Sequence, residues 1–345
     1  VKRYRMWGQY IDKGRFSPTL CFYPYPPGDH QSLMQALRSN GCGIERVESE
    51  GRRGYLAAVM RLAERWRNQP PDVVHSLNPI SDIIVVLAKE IAGSDASVVS
   101  MTGGAKIISV RWRQLLYRKV FSALVDQRID AHLTVSEYHR RELVEEYGVN
   151  SSKVSVHRIG LDFDEFVVGD DRKDASGLVF GYVGRFSREK GVVRFVDAIN
   201  EFQKGAAEDC GSSEAQFRIV GDGPLRREVE ARLARYDLSD VVSLEGWASN
   251  VSKVLNGIDC LVVPSRNEGT PRIILEGYYH KVPVISTDVG GIPEIVNHGE
   301  TGVLVNESVS ALVDGLRAIR REDYDVSRMG ERAKRYVEQS HSIQK

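Results

Sequence analysis

The chain has 345 residues, of which 42% are hydrophobic, and its 47 Lys and Arg residues balance its 47 Asp and Glu residues. This length exceeds what one ordinary hydrophobic core holds, so two domains of the α/β class are predicted. Because the balanced charge supplies no bulk attraction for a polyanion, we expect no nucleic-acid partner.

Short β-rich runs alternate with longer helical patterns in the first half of the chain, a pattern typical of a parallel sheet covered by helices. Strands are predicted at residues 19–23, 44–47, 72–75, 97–100, 131–135 and 153–157. Apolar periodicity predicts intervening helices at residues 31–40, 56–68, 83–92, 111–127 and 137–147. Residues 1–165 are therefore predicted to form one Rossmann-like domain.

A polar, acidic stretch follows, and residues 166–177 are predicted to be a linker between domains. The alternation then restarts, with strands predicted at residues 178–182, 217–220, 241–244, 260–263, 282–286 and 302–305. Residues 178–345 are therefore predicted to form a second Rossmann-like domain. Doubly wound sheets bind ligands beyond the carboxyl ends of their strands, so we expect a central cleft faced by both domains.

A glycine-rich turn with two cations follows the first strand of the second half, in the sequence GYVGRFSREKG at residues 181–191. Gly184 allows close approach of the backbone to a ligand, while Arg185 and Lys190 precede a predicted helix. Cations beside a helix N-terminus favour a diphosphate. The alternative is that both are solvated charges around an ordinary turn.

Two carboxylates flank a predicted helix start in the sequence EGTPRIILE at residues 268–276. Thr270 is predicted to be the N-cap and Pro271 the first helical residue. Glu268 would precede the helix and Glu276 would lie within it. Carboxylates beside an anion site are favourable when they accept hydrogen bonds from hydroxyl groups, which ribose and a hexose provide. The alternative is one loop carboxylate and one helix-surface carboxylate.

Six ordered sequences resemble glycosyltransferase family 4, the retaining enzymes of the GT-B fold. They are GYVGRFSREKG, RIVGDGP, SLEGW, VVPSRNEGTPRIILEG, PVISTDVGGIPEIV and GETGVLV. The resemblance implies a metal-independent hexosyltransferase that uses a nucleoside diphosphate sugar, UDP- or GDP-linked, as co-substrate and needs no other cofactor. It further implies a glycan, lipid-linked or small-molecule acceptor and a role in polysaccharide or glycoconjugate synthesis.

The resemblance also implies roles for individual residues. Arg185 and Lys190 would bind the donor diphosphate, Glu276 would bind the ribose and Glu268 would bind the donor sugar. Of these, Arg185, Lys190 and Glu268 would be catalytic. The remaining donor-side candidates share a position in loops that follow strands: Gly28, Gly184, Gly246, Trp247, Gly269, Thr270 and Pro271.

The acceptor side departs from the family pattern. Thr102 stands where relatives commonly carry histidine, and it joins Gly103 and Asp29 as an acceptor-side candidate. Because no general base is evident, we adopt as a hypothesis a front-face route in which the leaving phosphate oxygen helps to deprotonate the acceptor. The histidines lack zinc-ligand spacing, and no metal site is predicted.

The chain is predicted to be cytoplasmic, since its cysteines lack disulfide or redox spacing and its start lacks the apolar core of a signal peptide. No apolar run reaches the about 18 residues of a membrane span. Residues 106–128 combine basic and apolar side chains, a pattern that suits peripheral contact with an anionic membrane. A helix that packs one face on its sheet and points its charges outward has the same pattern, and this second interpretation is the preferred one.

Two other functions remain open. A sugar-nucleotide epimerase or a phosphorylase of the same fold would share much of the donor site, although the cations at 185 and 190 with the two glutamates favour transfer. A catalytically silent nucleotide-sugar-binding protein is the second alternative, suggested by Thr102.

Overall fold

A computed structural model describes residues 9–22, 31–46, 54–102, 125–169, 177–205 and 215–343. The described residues divide into two compact units. The second contains Thr134–Glu145 and the described residues of Val156–Lys345, and the remaining described residues form the first. The predicted linker at 166–177 begins inside the second unit, and its residues 170–176 lie outside the described part.

Helices and strands alternate from the start of the described chain. They are β1 (Thr19–Phe22), α1 (Gln31–Ser39), β2 (Gly43–Arg46), α2 (Gly54–Asn68), β3 (Val73–Ser76), α3 (Pro79–Ala92), β4 (Ser97–Thr102), β5 (Ala131–Thr134), α4 (Glu137–Arg141) and β6 (Val154–Val156). Strands β1 and β2 pair in parallel, and a four-stranded sheet has the order β3-β4-β5-β6. Helices α2 and α3 bury apolar side chains such as Ala58 and Val86 around Val98 of β4.

The end signals of α3 follow directly from its sequence. The Asn78 side chain accepts a hydrogen bond from the backbone N–H of Ser81, and Pro79 occupies the first turn, where no backbone donor is needed. Gly93 ends the helix in the left-handed region at φ 66°.

The remaining elements build the second unit. They are β7 (Leu178–Val183), α5 (Val192–Lys204), β8 (Ala215–Val220), α6 (Arg226–Arg235), β9 (Val242–Glu245), α7 (Val251–Asn256), β10 (Cys260–Val263), α8 (Arg272–Tyr279), β11 (Val284–Thr287), β12 (Gly302–Val305), α9 (Val309–Arg320) and α10 (Val326–Ser340). The six strands form one parallel sheet in the order β12-β11-β10-β7-β8-β9.

Alternating side chains of this sheet enter two separate cores. Cys260 and Val262 of β10 join the core beneath α5 and α9, whereas Leu261 and Val263 join the core beneath α8 and α10. This alternation follows from the two-residue period of a strand, and it explains why a sheet covered on both faces is a continuous apolar run in sequence. Helices cover both faces, which confirms the doubly wound α/β prediction for this unit.

Most predicted elements begin and end within a few residues of the observed ones. The predicted helix at 137–147 differs in geometry, because it is α-helical only to Arg141 and continues as a π-helix over Glu142–Glu146. The predicted helix at 111–127 lies almost entirely outside the described residues. Among the described helices, none is both long and apolar enough to span a bilayer.

Candidate functional site

The candidate donor site lies where the strand order of the six-stranded sheet reverses. From β7 the chain moves outward to β8 and β9, then returns to β10 on the other side of β7 and continues to β11 and β12. The loops after β7 and β10 therefore leave the same edge in opposite directions. This divergence opens a crevice at the carboxyl ends of the two strands, the usual ligand site of such sheets.

A lysine from the loop after β7 contacts a glutamate from the loop after β10. The Nζ atom of Lys190 lies 2.5 Å from the Oε1 atom of Glu268, and the Ser265 hydroxyl donates to the same oxygen at 2.8 Å. The Glu268 side chain is 11% exposed, whereas the Lys190 side chain is 36% exposed. The carboxylate is thus held from within the protein while the ammonium group stays open to solvent.

The second predicted cation follows β7 directly. Arg185 is exposed, and its backbone carbonyl accepts a hydrogen bond of 2.8 Å from the Tyr182 hydroxyl. Burial, together with the negative charge of Glu268, raises the pKa of Tyr182 above its ordinary value. Tyr182 therefore stays a neutral donor that fixes the backbone at Arg185.

Both cations lie within electrostatic reach of one exposed carboxylate, Glu189. A hydrogen bond from its own backbone N–H is the main reason that the pKa of Glu189 lies below its ordinary value. The positive charges of Arg185 and Lys190 lower this pKa further. The structure therefore brings Arg185, Lys190 and Glu268 into one neighbourhood.

Two glycines allow the loops to approach closely. Gly191 has φ 70°, and a Cβ atom there would lie 1.8 Å from the carbonyl oxygen of Pro264. Gly290 has φ 60°, and a Cβ atom would lie 2.0 Å from the carbonyl oxygen of Glu268. Because only glycine avoids both the strain and the clash, these positions fix the approach of the loops after β7, β10 and β11.

The loops after β7, β8 and β9 contact one another in sheet order. The Gly184 N–H donates to the Val220 carbonyl at 3.0 Å, and the Gly221 N–H donates to the Gly246 carbonyl at 3.1 Å. Trp247, the next residue, is 78% exposed. The predicted positions Gly184, Gly246 and Trp247 therefore share the same edge of the sheet as the two cations.

Glu276 lies on α8 and is bound to its own helix. Its Oε1 atom accepts a hydrogen bond of 2.8 Å from the Nε atom of Arg272, and its side chain is 6% exposed. Arg272 also lies 3.7 Å from a carboxylate oxygen of Glu165. Arg272 was not predicted from the sequence, although its spacing four residues before Glu276 is the signal that points to a helical ion pair.

The prediction that Thr270 caps this helix is wrong. Helix α8 begins at Arg272, Pro271 is the residue before it, and no side chain caps its N-terminus. The Thr270 hydroxyl instead donates to the backbone carbonyl of Val135 at 2.9 Å. The Thr270 hydroxyl therefore binds a residue distant in sequence, although the local sequence predicts that it caps the helix.

Sequence reasoning missed the contact between residues 134–139 and the loop after β10. His139 is 1% exposed, and a Cβ atom on Gly269 would lie 2.4 Å from its Cε1 atom. The carboxylate of Glu294 accepts hydrogen bonds from the backbone N–H groups of Glu137 and Tyr138. The sequence does not predict the burial of His139, because this burial depends on a loop 130 residues away.

A buried carboxylate on α3, that of Asp82, contacts side chains of β3 and β4 in the first unit. Asp82 accepts hydrogen bonds from the hydroxyls of Ser76 and Ser100, the latter at 3.0 Å. Burial raises the pKa of Asp82 to about 6. Thr102, an acceptor-side candidate, is the last residue of β4. The other candidates of this side, Asp29 and Gly103, and the donor-side Gly28 lie outside the described residues.

Two family models match most of the chain. The model described as "Glycosyl transferases group 1" matches residues 177–321, and the model described as "Glycosyl transferase 4-like domain" matches residues 5–160.

Curated relatives with similar sequences are named as transferases. The chain is 29% identical over 209 residues to the "Putative colanic acid biosynthesis glycosyltransferase WcaL" of Salmonella typhimurium, which covers 58% of the chain and 50% of the relative. It is 26% identical over 263 residues to an Escherichia coli protein named "UDP-Gal:alpha-D-GlcNAc-diphosphoundecaprenol alpha-1,3-galactosyltransferase", covering 72% and 66%. The chain thus spans about half the length of the first of these relatives.

A solved structure with the same fold is the Anabaena protein Alr3699/HepE in complex with UDP. It superposes with a TM-score of 0.80 over 99% of this chain and 91% of that chain, at 17% sequence identity. The fold is therefore that of the GT-B proteins, as predicted.

Proposed function

Since this chain belongs to glycosyltransferase family 4, we propose that it transfers a sugar from a nucleoside diphosphate sugar to an acceptor hydroxyl in the synthesis of a polysaccharide or another glycoconjugate. The contact between Lys190 and Glu268 carries this proposal. It joins a phosphate-binding type of side chain to a sugar-binding type at the point where the strand order reverses.

We assign the donor diphosphate to Lys190 and Arg185. The ammonium group of Lys190 has three N–H donors, and Glu268 accepts one of them at 2.5 Å. The exposed guanidinium of Arg185 offers a planar pair of donors. Negative charge develops on the diphosphate as the bond to the sugar breaks, so two nearby cations would stabilise the transition state without a metal ion.

We assign the donor sugar to Glu268 and to the loop of Gly269, Thr270 and Pro271. Lys190 and Ser265 both bind the Oε1 atom of Glu268, and we assign its second oxygen to a sugar hydroxyl. The hydrogen bond from Thr270 to the Val135 carbonyl fixes the loop that would carry this contact. Glu276, held by Arg272, is assigned to the ribose hydroxyls.

Retention of anomeric configuration is part of the proposal. In the front-face route the leaving phosphate oxygen would accept the acceptor proton on the face of the sugar from which the diphosphate departs. Glu268 would bind the sugar and not attack it. Isolation of a glycosyl adduct on Glu268 would replace this route with covalent catalysis.

We propose UDP or GDP as the nucleotide. The fold neighbour from Anabaena was solved with UDP, and one relative is named for its UDP-Gal donor. By the family resemblance we assign Gly246 and the exposed Trp247 to the nucleobase side, and the hydrogen bond from the Gly221 N–H to the Gly246 carbonyl holds this loop at the same edge of the sheet.

We place the acceptor on the side of Thr102, Gly103 and Asp29, and we propose peripheral contact with the cytoplasmic face of an anionic membrane through residues 106–128. The relative named for a diphosphoundecaprenol acceptor supports a lipid-linked acceptor. Flotation with anionic and neutral vesicles tests the contact. Equal recovery with both vesicle types, or recovery with neither, contradicts it.

The transfer reaction itself is tested by release of nucleoside diphosphate from UDP- and GDP-sugars, with and without a panel of glycan and lipid-linked acceptors. A transferase releases the nucleotide in an acceptor-dependent way and yields a product whose anomeric configuration, read by NMR, matches that of the donor. Isomerisation of the donor without acceptor would instead identify an epimerase. Donor binding with no turnover across the panel would identify a silent binding protein.

A further inference from the structure

Three segments of the second unit interlock beside Glu268. The Gly291 N–H donates to the Glu268 carbonyl at 2.9 Å, which joins the loop after β11 to the loop after β10. The Thr270 hydroxyl donates to the Val135 carbonyl at 2.9 Å, which joins the loop after β10 to the segment before α4. The contact that closes this triangle comes from Glu294.

The carboxylate of Glu294 binds the N-terminus of α4 through both of its oxygens. One oxygen accepts from the Glu137 N–H at 2.8 Å and the other from the Tyr138 N–H at 2.6 Å. The Ser136 hydroxyl accepts from the next free donor, the His139 N–H, at 3.3 Å. Hydrogen bonds to an ionised acceptor are stronger than neutral ones, and the helix dipole adds to the attraction.

The same helix end presses His139 against the loop that is assigned to the donor sugar. A Cβ atom on Gly269 would lie 2.4 Å from the Cε1 atom and 2.9 Å from the Nδ1 atom of His139. A Cβ atom on Gly291 would likewise lie 2.9 Å from the Cβ atom of Ser136 and 2.1 Å from the Gly269 carbonyl oxygen. Both glycines are therefore in contact with the segment that Glu294 holds.

The imidazole of His139 is buried by the packing of this segment against the loop. It is 1% exposed, and within the described part of the chain neither ring nitrogen has a hydrogen-bond partner. Burial lowers the pKa of His139 below its ordinary value. The Tyr138 ring lies 5.5 Å from the imidazole and Gly269 packs against it, and neither residue is charged, while Glu294 binds the backbone of the preceding residues.

We propose that Glu294 is a positioning residue: by holding α4 through two backbone N–H groups, it seats His139 against Gly269 and so fixes the loop that orients Glu268 toward the donor sugar. The inference rests on the proposed function for the identity of the ligand. It assigns a role to the glutamate of the sequence GGIPE, which has no place in the donor site described above.

The Glu294→Gln variant tests the proposal because it keeps the size of the side chain. An amide has one acceptor oxygen, so its NH₂ group would face one of the two backbone N–H groups. The exposed Glu300, six residues further along the chain, provides the matched control Glu300→Gln. Glu294→Asp restores the carboxylate on a shorter side chain and is expected to recover part of the lost function.

Two measurements are made on each full-length variant. The first is the NMR titration of the His139 ring, assigned by loss of its signal in His139→Gln. The second is the affinity for UDP-glucose relative to UDP, or for GDP-mannose relative to GDP, measured by calorimetry. Because Glu268 is assigned to the sugar and not to the diphosphate, a misplaced loop should weaken the sugar nucleotide and leave the free nucleotide unchanged.

In Glu294→Gln we expect the pKa of His139 to move up toward its ordinary value. We also expect about a tenfold loss in the preference for sugar nucleotide over nucleotide, the size of one hydrogen bond to a charged group. The proposal is overturned if the pKa of His139 and the preference for sugar nucleotide in Glu294→Gln both equal those in Glu300→Gln. It is also overturned if Glu294→Gln weakens the binding of sugar nucleotide and of nucleotide equally, or if the pKa of His139 changes while the preference does not. If the wild-type protein binds neither ligand, the proposed function fails. If the pKa of His139 is then also the same in Glu294→Gln as in wild type, the claim that Glu294 holds His139 in place fails as well.

Discussion

The Nζ atom of Lys190 lies 2.5 Å from the Oε1 atom of Glu268, although 78 residues separate them in sequence. Lys190 is followed by Gly191, whose left-handed backbone packs against Pro264. The Ser265 hydroxyl donates a hydrogen bond to Glu268. The pair therefore depends on the pairing of β7 with β10, which places the two loops side by side.

Replacing Glu268 with Gln should lower kcat by about a hundredfold, the usual effect of removing one preorganised polar group from a transition state. The amide keeps the shape of the side chain but removes the charge that holds Lys190 and accepts from the sugar. Initial rates with the donor and acceptor that the nucleotide-release assay identifies provide the measurement. Glu307→Gln is the control, since Glu307 forms an ion pair with Arg194. Equal rates for the two variants would contradict the assignment.

Gly191→Ala should destabilise the second unit by more than about 1 kcal/mol, because it combines backbone strain at φ 70° with a Cβ atom 1.8 Å from the Pro264 carbonyl. Urea or thermal unfolding measures the loss. Gly246→Ala is the matched glycine variant, since a Cβ atom there has no neighbour within 4 Å. The prediction fails if both alanine variants unfold at the midpoint of the wild-type protein.

Thr270→Val should weaken sugar-nucleotide binding more than nucleotide binding, because valine keeps the volume of threonine but cannot donate to the Val135 carbonyl. That carbonyl would lose its partner, at a cost of about 1–3 kcal/mol if it stays buried. Calorimetric titration of both ligands measures the difference. Thr301→Val, which removes a hydroxyl bound to Tyr278, controls for general loss of stability. Identical binding by Thr270→Val and wild type would exclude a role for the hydroxyl.

The first unit should become more stable as the pH falls from about 6 to about 4. Asp82 has a pKa of about 6 in the folded protein against 3.8 as the ordinary value, so the folded state holds this proton more tightly. The contribution is at most about 3 kcal/mol, is complete below pH 3.8, and is lost as the pH rises through about 6.

Urea unfolding of the wild type and of Asp82→Asn across this pH range tests the sign. The variant should lack the extra gain in stability at low pH, whereas Asp72→Asn, at an exposed site, should keep it. A wild-type protein whose first unit loses stability over the same range relative to Asp82→Asn would contradict the buried, proton-binding state.

Sequence predicts the sheets of this protein well because their cause is local. The apolar run at 260–263 and the glycine turn at 184 are visible without a partner, and both lie where they were predicted. The pairing of Lys190 with Glu268 was predicted only as convergence on one site, since the fold and not the spacing brings two distant loops together.

The errors and omissions have non-local causes. Thr270 has the chemistry of an N-cap, but its hydroxyl binds the carbonyl of Val135, 135 residues earlier. Glu294 looks like a residue of an ordinary turn until its partners at 137 and 138 are known. The π-helix at Glu142–Glu146 has the same apolar spacing as an α-helix over so short a length, so periodicity does not reveal it.

Calorimetric titration of UDP- and GDP-sugars into wild-type protein, Lys190→Ala and Lys204→Ala tests the central assignment most directly. Lys204 is an exposed cation paired with Glu201, so its variant changes the net charge equally. We predict that one nucleotide sugar binds the wild type and Lys204→Ala alike, and that Lys190→Ala binds it at least about tenfold more weakly. Equal affinity of Lys190→Ala and wild type would contradict the placement of the donor diphosphate at Lys190.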